Sequence, residues 1–361
     1  MKRKFISVIL ITLIVSSFTG CMNTDNKSAT TTQSKETVKK ADYQTITDMD
    51  GNVVKLPAKV NKIGTSWPGF INVLLTVGGG DKIVVSADSI KNYPWALKIF
   101  PKLKNINYPF STSGVNQEQL LINKPDVLFL RKTDKSVDKN KVAGIPAIMI
   151  DYTKNSIYDM IDAVTLAGKV LGKEGVQRAA KYKEFVVQNI NKITSVTKQI
   201  PDNQKQKVLT LSVSGKVLST WGKNIIQNEE INMVGGINVA EKDINGYKDV
   251  SFEQILKWNP DVIFVDWNEN DKAKLMKDPR FTQIKAVQSG KVFVIPQGIF
   301  KWSSLGSETA LYLPWMAKTL YPEKFKDLDV TGEAKSFYKT FFNYNLSDSE
   351  LNRILSAQKP E

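Results

Sequence analysis

The chain has 361 residues, a formal net charge of +14 at pH 7, a single cysteine and no histidine. The absence of histidine excludes a Ser-His-Asp or Cys-His nucleophile, a zinc or nickel site built on histidine, and histidine-ligated haem. One cysteine excludes an intrachain disulfide and a cysteine-based metal cluster. We therefore expect a protein that is not an enzyme and that supplies no cofactor or metal site of its own.

The N-terminus is typical of a secreted protein. Residues 1–20 combine a cationic start, Lys2-Arg3-Lys4, with an apolar run from Phe5 to Phe18 that is short for a membrane span. This pattern predicts a signal peptide, and small residues then precede Cys21. A lone cysteine at this junction resembles the lipobox of bacterial lipoproteins. The resemblance implies cleavage before Cys21 and its acylation, for example with palmitate, which would anchor the protein to the outside of the cell membrane. The alternative is an accidental cysteine.

Residues 21–41 are rich in Ser, Thr, Gln, Asn and Lys and contain no aromatic residue, so we expect a flexible tether. Loss of the three cationic residues of the signal peptide would lower the formal charge from +14 to +11. A basic exterior protein favours anionic lipid headgroups, wall polymers or an anionic ligand. Because the lysines are scattered and the compartment is extracytoplasmic, we expect no nucleic-acid partner.

The segment after the tether predicts an α/β arrangement. Two alternating runs around Asp50-Gly51 indicate a β-hairpin over residues 43–56. A strand over 62–67, a helix over 70–77 and a strand over 81–87 follow, and a further strand is expected over 147–151. The glycines at 78–80 follow a helix and lack the spacing of a dinucleotide-binding motif.

A pattern of thirteen residues occurs twice, 135 positions apart. Residues Glu118–Leu130 read EQLLINKPDVLFL and residues Glu253–Val265 read EQILKWNPDVIFV, with seven identical positions. Each copy predicts a short helix with a capping residue, Asn116 or Ser251, and a glutamine placed to complete a capping box. A Pro-Asp break and a strand buried on both faces follow. One such unit in each half of the chain predicts two α/β lobes.

Two helices are expected between the copies, over residues 156–171 and from Lys173 to about Lys198. The second would be about 37 Å long, enough to reach from one lobe to the other. Second-lobe strands are expected from Lys207 onward and over 291–296. Two short helices should follow Glu333, the second opened by a capping box of Ser347 and Glu350.

These elements predict an α/β fold with two Rossmann-like lobes joined by one long α-helix and a ligand cleft between the lobes. The chain after the tether has about 320 residues, which is longer than a single hydrophobic core usually supports, so its length also predicts two lobes. We expect the signal peptide at 1–20, the tether at 21–41, the N-terminal lobe at 42–172, the interlobe helix at 173–200 and the C-terminal lobe at 201–361.

Candidate ligand-binding residues come from positions expected in loops after strands, where binding residues concentrate. Aromatic side chains there would suit a bulky or amphipathic ligand, and Arg131 and Lys301 would supply positive charge. The alternative is core packing for any one aromatic residue, and an ordinary solvated position for Arg131. The candidate set is Trp67, Tyr93, Trp95, Arg131, Trp221, Trp267, Lys301 and Trp302.

Five sequence segments, taken in order behind the lipobox, resemble the substrate-binding lipoproteins of bacterial ABC importers. They are NKIGTSWP (Asn61–Pro68), GGGDKIVV (Gly78–Val85), the repeated helix–Pro-Asp–strand element, GGINVAE (Gly235–Glu241) and AVQSGKVFVIP (Ala286–Pro296). The resemblance is to the group with one long interlobe helix, which includes ferric-siderophore, cobalamin and haem binding proteins. It covers nearly all of the chain after the tether. It implies a small metal chelate as ligand and the permease dimer of an ABC importer as partner.

The same resemblance implies a role for Glu118 and Glu253. In similar proteins the glutamate of each copy of the repeat contacts an arginine of the permease, and these two positions match. An internal repeat offers two similar acidic positions to a two-fold permease. The alternative is that both residues only complement a helix dipole.

The ligand is expected to be a preformed complex, because a protein without histidine or a free thiol is a poor ligand set for a bare transition metal. A basic cleft favours an anionic ferric siderophore, with cobalamin, haem and a nickel or cobalt chelate as alternatives. A wall-associated adhesion or structural lipoprotein is the alternative from another class, and an enzyme is a third. The stiff interlobe helix predicts little lobe closure on binding.

Overall fold

The computed structural model describes residues 42–132, 142, 144–151, 156–266 and 269–361. The expected signal peptide and tether, Cys21 among them, lie outside the described residues, as does Trp267. The described part opens with the predicted hairpin, in which β1 (Tyr43–Thr47) and β2 (Val53–Pro57) pair antiparallel. Gly51 in its turn has φ +82°. Glycine adopts this left-handed conformation without steric cost.

The N-terminal lobe is built on a sheet of six strands, β3 (Ile63–Thr65), β4 (Ile83–Ala87), β5 (Asn107–Ser111), β6 (Gly114–Val115), β7 (Val127–Arg131) and β8 (Ala147–Ile150). Their spatial order is β6-β5-β4-β3-β7-β8, and every neighbouring pair is parallel except β5 and β6. The unbroken apolar run of β7 reflects a strand covered on both faces of a parallel sheet.

The C-terminal lobe has a second six-stranded sheet, made of β9 (Lys207–Ser214), β10 (Val217–Trp221), β11 (Ile237–Asn238), β12 (Tyr247–Val250), β13 (Val262–Val265) and β14 (Val292–Val294). The order is β12-β10-β9-β13-β14, with β11 beside β9. The pairs of β9 with β13 and of β13 with β14 are parallel, whereas β10 is antiparallel to β9 and β12. The prediction of two α/β lobes is confirmed.

Twelve helices are described. They are α1 (Gly69–Thr76), α2 (Pro94–Ile99), α3 (Gln117–Asn123), α4 (Ile157–Leu171), α5 (Lys173–Thr197), α6 (Ile226–Met233), α7 (Phe252–Trp258), α8 (Glu269–Lys277), α9 (Lys285–Gln288), α10 (Thr309–Leu320), α11 (Val330–Phe342) and α12 (Asp348–Leu355). The long helix α5 has the predicted start and 25 residues. The predicted capping box of Ser347 and Glu350 is present at α12.

The helix–strand repeat has the same geometry in both lobes. The side chains of Asn116 and Ser251 accept hydrogen bonds from the backbone N–H three residues on, at 3.0 and 3.2 Å. Helices α3 and α7 both end at a left-handed residue with φ 42°, Lys124 and Asn259. The capping box expected from the glutamines is complete in neither described copy. Instead, Nε2 of Gln254 donates a hydrogen bond to Oδ2 of Asp243.

The recurring Pro-Asp pair has a structural reason. Oδ2 of Asp126 accepts hydrogen bonds from the backbone N–H groups of Asn61 and Lys62, at 2.7 and 2.9 Å. Oδ2 of Asp261 accepts the equivalent bond from Lys207 at 2.9 Å. Each aspartate therefore ties the break between helix and strand to the start of the first strand of its own lobe.

The apolar core is continuous between the lobes. One cluster of buried residues includes Phe129 on β7 of the N-terminal sheet, Phe264 on β13 of the C-terminal sheet and Tyr182 on α5. The chain also returns to the first lobe at its end, where Nε1 of Trp95 donates to the Gln358 carbonyl at 2.8 Å. Packing of this kind resists hinge motion, since bending would open the shared core.

Lobe closure on ligand binding is therefore expected to be small. The unbroken α5 helix and the continuous core must both deform if the lobes rotate towards each other. Small-angle scattering of the protein from residue 42 onward, with and without ligand, should give the same radius of gyration within error. A clear fall on ligand addition would contradict this prediction.

Candidate functional site

The carboxyl ends of the parallel strands lead into the candidate site. In the N-terminal lobe Trp67 closely follows β3, and Arg131 ends β7. In the C-terminal lobe Asp266 follows β13, and residues 295–302 form the loop after β14. Ligands of open α/β sheets bind outside the carboxyl ends of strands. Ring contacts between these loops show that the two carboxyl edges meet across a crevice between the lobes.

Phe300 is the point at which the C-terminal lobe meets the aromatic residues of the N-terminal lobe. Its ring centroid lies 4.7 Å from that of Tyr93 and 5.6 Å from that of Trp67, the latter edge-on at 83°. Trp67 and Tyr93 are half-buried, whereas Phe300 is 5% exposed. The three rings form an apolar wall in the crevice against which the flat or apolar part of a ligand can pack.

Arg131 brings a positive charge to this wall, and the ion pairs between described residues do not include it. Its guanidinium carbon lies 5.1 Å from the centroid of the Trp67 ring, within the range of a cation–π interaction. Its Nε is buried and makes no hydrogen bond to the described residues. The neighbouring Lys132 differs, since its Nζ lies 2.6 Å from Asp50 and 3.0 Å from Asp151. Arg131 thus keeps guanidinium donors available for an anion.

Lys301 does not add to the positive charge of the crevice as expected. Its Nζ lies 3.0 Å from Oδ2 of Asp266, and both side chains are largely buried, at 14% and 5% exposed. Oδ1 of the same aspartate accepts a hydrogen bond from Ser303 at 2.8 Å. Because Asp266 neutralises Lys301, the expected role of that lysine is corrected from a free cation to half of a buried ion pair.

Tyr93 is a hydrogen-bond donor rather than an anion. Burial, and secondarily the negative charge of Asp266, raise the pKa of Tyr93 to about 12. The phenol therefore stays protonated at any physiological pH. Together with the guanidinium of Arg131 it gives the crevice two donor groups beside an aromatic wall, which is the chemistry needed for a partly apolar anion.

Glu308 holds the loop that carries Phe300. Its two carboxylate oxygens accept hydrogen bonds from the backbone N–H groups of Ile299 at 3.1 Å and Phe300 at 2.6 Å, and from Nδ2 of Asn72 at 3.3 Å. The Tyr338 hydroxyl donates a fourth bond. Asn72 lies on α1 of the N-terminal lobe, so the fully buried carboxylate links the two lobes behind the crevice. Sequence reasoning assigned no role to Glu308, Asp266 or Phe300.

Substituting Glu308→Gln is expected to destabilise the protein by about 2–4 kcal/mol at low pH, because the amide NH₂ would face backbone donors that now have an acceptor oxygen. Burial raises the pKa of Glu308 from 4.5 to about 7, against the opposing effect of its hydrogen bonds. The pKa is higher in the folded state, so the stabilising contribution is complete below pH 4.5 and is lost as the pH rises towards 7.

Urea unfolding of both proteins at several pH values checks this expectation. The difference in free energy of unfolding between wild type and Glu308→Gln should be largest below pH 4.5 and should shrink by up to about 3 kcal/mol by pH 8. A difference that is independent of pH, or that grows with pH, would contradict the assigned direction.

The remaining tryptophans divide into core and edge positions. Trp95 and Trp302 are 1% and 0% exposed, and Trp95 lies within helix α2 rather than in a loop. Their expected place in a cleft lining is therefore corrected to core packing. Trp221 ends β10, where its ring packs against that of Tyr247 at a centroid distance of 4.8 Å and an interplanar angle of 46°. Trp267 is outside the described residues, so its expected role stays a prediction.

Glu118 and Glu253 occupy equivalent exposed positions on α3 and α7. Hydrogen bonds from its own backbone N–H and from Ser251 hold the pKa of Glu253 below its ordinary value, and Arg280 adds a nearby positive charge. Both helices pack on their sheets through the next buried position of the repeat, Leu120 and Ile255. The two glutamates therefore project from matching faces of the two lobes.

Two absences apply to the part of the chain that the structure describes. No group of three or more His, Cys, Asp or Glu side chains there is placed to hold a metal ion. No described helix is long and apolar enough to cross a membrane.

Two α/β lobes, a helix between them and an interlobe crevice lined by aromatic rings and the guanidinium of Arg131 define a solute-binding protein. A protein-family model described as periplasmic binding protein matches residues 69–298, more than half of the chain. The chain belongs to this family, whose members bind small solutes outside the cytoplasm and deliver them to ABC transporter permeases.

Similar proteins agree with this assignment. The molybdate-binding protein MolA of Haemophilus influenzae is 25% identical over 319 residues, which cover 82% of this chain and 90% of MolA. The Fe(3+)-citrate-binding protein YfmC of Bacillus subtilis is 22% identical over 80% of this chain and 87% of its own length. The solved structure of a periplasmic solute binding protein from Veillonella parvula is 30% identical, with a TM-score of 0.77, over 87% of this chain and 97% of that chain.

Proposed function

We propose that the protein captures an anionic, metal-containing solute in the interlobe crevice and passes it to the permease of an ABC importer. The observation that carries the proposal is Arg131, a half-buried cation that no described carboxylate neutralises. Its guanidinium stands over Trp67, and the protonated phenol of Tyr93 belongs to a ring that packs on Phe300, as Trp67 does. A guanidinium group next to an aromatic surface suits a ligand that is both anionic and partly apolar.

An anionic ferric siderophore is the ligand that we favour. Aromatic rings can pack on the organic part of such a chelate, and the coordination shell of its iron is complete without the protein, in keeping with a chain that has no histidine. Cobalamin, haem and a nickel or cobalt chelate would meet the same rings and are the alternatives.

A compact metal oxyanion is the second candidate. Phe300 already contacts both Trp67 and Tyr93, which narrows the crevice. MolA, named for molybdate binding, is similar over most of this chain. A small anion held by Arg131 and Tyr93 would need less displacement of Phe300 than a bulky chelate.

Isothermal titration calorimetry of the chain from residue 42 onward tests this proposal. Ferric citrate, a ferric hydroxamate and a ferric catecholate are titrated in parallel with molybdate, tungstate and cyanocobalamin. Saturable binding of one ferric chelate with one-to-one stoichiometry supports the favoured ligand, and binding of the oxyanions alone supports the second. No heat from any of them would overturn the proposal and favour a wall-associated structural lipoprotein.

The partner is proposed to be a permease dimer that receives one glutamate from each lobe, Glu118 from residues 42–172 and Glu253 from residues 201–361. Residues 173–200 would keep the two glutamates at a fixed separation. Supporting this, both glutamates are exposed and lie at the same position of two helices with matching caps. Two fixed acidic groups complement two arginines related by a two-fold axis.

Anchoring through Cys21 is proposed to hold the protein at the membrane surface, with residues 21–41 as tether. The motif around Cys21 supports this, as does the cationic and apolar segment before it. In a bacterial host the full chain should incorporate an alkyne-labelled palmitate and sediment with membranes, whereas Cys21→Ser should do neither. Equal labelling of both proteins would refute the anchor.

A further inference from the structure

Helix α3 exposes two large aliphatic side chains beside Glu118. Leu121 is 54% exposed and Ile122 is 70% exposed. Residues three and four positions apart share one face of a helix, so Glu118, Leu121 and Ile122 form a single outward face. Leu120 points the other way and is 1% exposed in the core. We call this outward set of Glu118, Leu121 and Ile122 the N-lobe docking face.

The equivalent face of the C-terminal lobe has different chemistry. Glu253 matches Glu118, but the next two positions on the same face of α7 are Leu256 and Lys257. Leu256 is half-buried and packs against the core of its own lobe. Lys257 is exposed. The lobes therefore share the acid, whereas only the N-terminal lobe adds exposed aliphatic surface to it.

Resting on the proposed permease docking, we propose that Leu121 and Ile122 are docking residues that make the N-lobe contact with the permease the tighter of the two. The partner surface is an arginine flanked by apolar side chains. The glutamate then pairs with the arginine while the aliphatic pair is removed from water. On the other lobe Lys257 would lie close to the second arginine, and that contact is the weaker one because like charges repel.

Two alternative partners for this face are a second copy of the chain and the lipid surface. Contact with a second copy would not explain why the other lobe has a glutamate at the matching position. A membrane with anionic headgroups repels Glu118. A partner with two equivalent basic positions accounts for both the shared acid and the unequal neighbours, so the permease is the occupant that the charges favour.

The test measures binding of the full chain, with and without ferric citrate, to its permease–ATPase complex in lipid nanodiscs, with empty nanodiscs of the same lipid alongside. Substituting Leu121→Ser together with Ile122→Ser should weaken binding by about tenfold or more. Lys257→Ile, which copies the N-lobe pattern into α7, should strengthen it. The matched control is Val176→Ser, because Val176 is 46% exposed on α5 and lies outside the docking face.

Three results would overturn the inference. The first is a serine pair that binds as tightly as wild type. The second is an equal loss of affinity for empty nanodiscs, which would indicate a lipid contact. The third is conversion of a wild-type dimer to a monomer by the serine pair in light scattering. Failure of the proposed docking is distinguishable, because a variant with both Glu118 and Glu253 reversed to arginine would then also bind normally. If only that double reversal loses binding, the glutamates dock and the aliphatic pair does not contribute.

Discussion

Replacing Arg131 with alanine is expected to weaken the binding of an anionic ligand by about ten- to a hundredfold. A hydrogen bond to a charged group contributes about 1.5–3 kcal/mol, and the guanidinium offers several donors from one rigid fork. Because Nε of Arg131 makes no hydrogen bond to the described residues, its removal should leave the fold intact. Calorimetric titration of the variant, with its melting temperature measured in parallel, separates lost affinity from lost stability.

Lys132→Gln is the matched control for this prediction. It removes a positive charge from the next residue, but that charge is already paired with Asp50 and Asp151. Ligand affinity should change less than about twofold, since a paired surface charge contributes little at a distance. If both variants lost affinity equally, the effect would come from net charge rather than from Arg131. An unchanged affinity in Arg131→Ala would exclude that residue from the site.

The combined substitution Glu118→Arg and Glu253→Arg is expected to weaken binding to the permease by about a hundredfold or more. Ligand-dependent stimulation of the transporter's ATPase should therefore be lost. Placing like charges opposite each other across an interface costs several kcal/mol. Ligand binding by the free protein should not change, because both glutamates are exposed and lie on the outer faces of α3 and α7.

A matched control reverses two exposed glutamates elsewhere, Glu184→Arg on α5 and Glu323→Arg after α10. This variant carries the same change of net charge and should stimulate the transporter normally. Each single docking variant should fall between wild type and the double variant. Normal stimulation by the double docking variant would contradict the prediction. Glu118 and Glu253 would then only complement the dipoles of their helices.

Much of the fold follows from local sequence patterns. The hairpin around Gly51, the two copies of the repeat and the long helix from Lys173 all have the predicted character. Helix α10 goes beyond the sequence-based expectations; it contains Pro314, and a proline inside a helix removes a backbone donor. Helix α2 replaces the loop expected around Trp95, since Pro94 lies at its first turn, where proline is tolerated.

The candidate site was less predictable, because it depends on contacts between distant residues. Sequence position alone does not distinguish Trp67, which is half-buried at the crevice, from Trp302, which is fully buried. The pairing of Lys301 with Asp266 joins residues 35 positions apart through adjacent parallel strands. Phe300 also follows a strand, but a phenylalanine carries no polar group or charge that marks a binding position in the sequence.

Tryptophan fluorescence during ligand titration tests most directly whether the crevice is the binding site. The full set of chelates and oxyanions is titrated into wild type and into Trp67→Phe, which keeps an aromatic ring but removes the indole nearest Arg131. We predict saturable one-to-one quenching by an anionic, metal-containing ligand in wild type and a much smaller signal change in Trp67→Phe. Equal quenching of both proteins by a bound ligand would place the binding site outside the crevice and contradict the account.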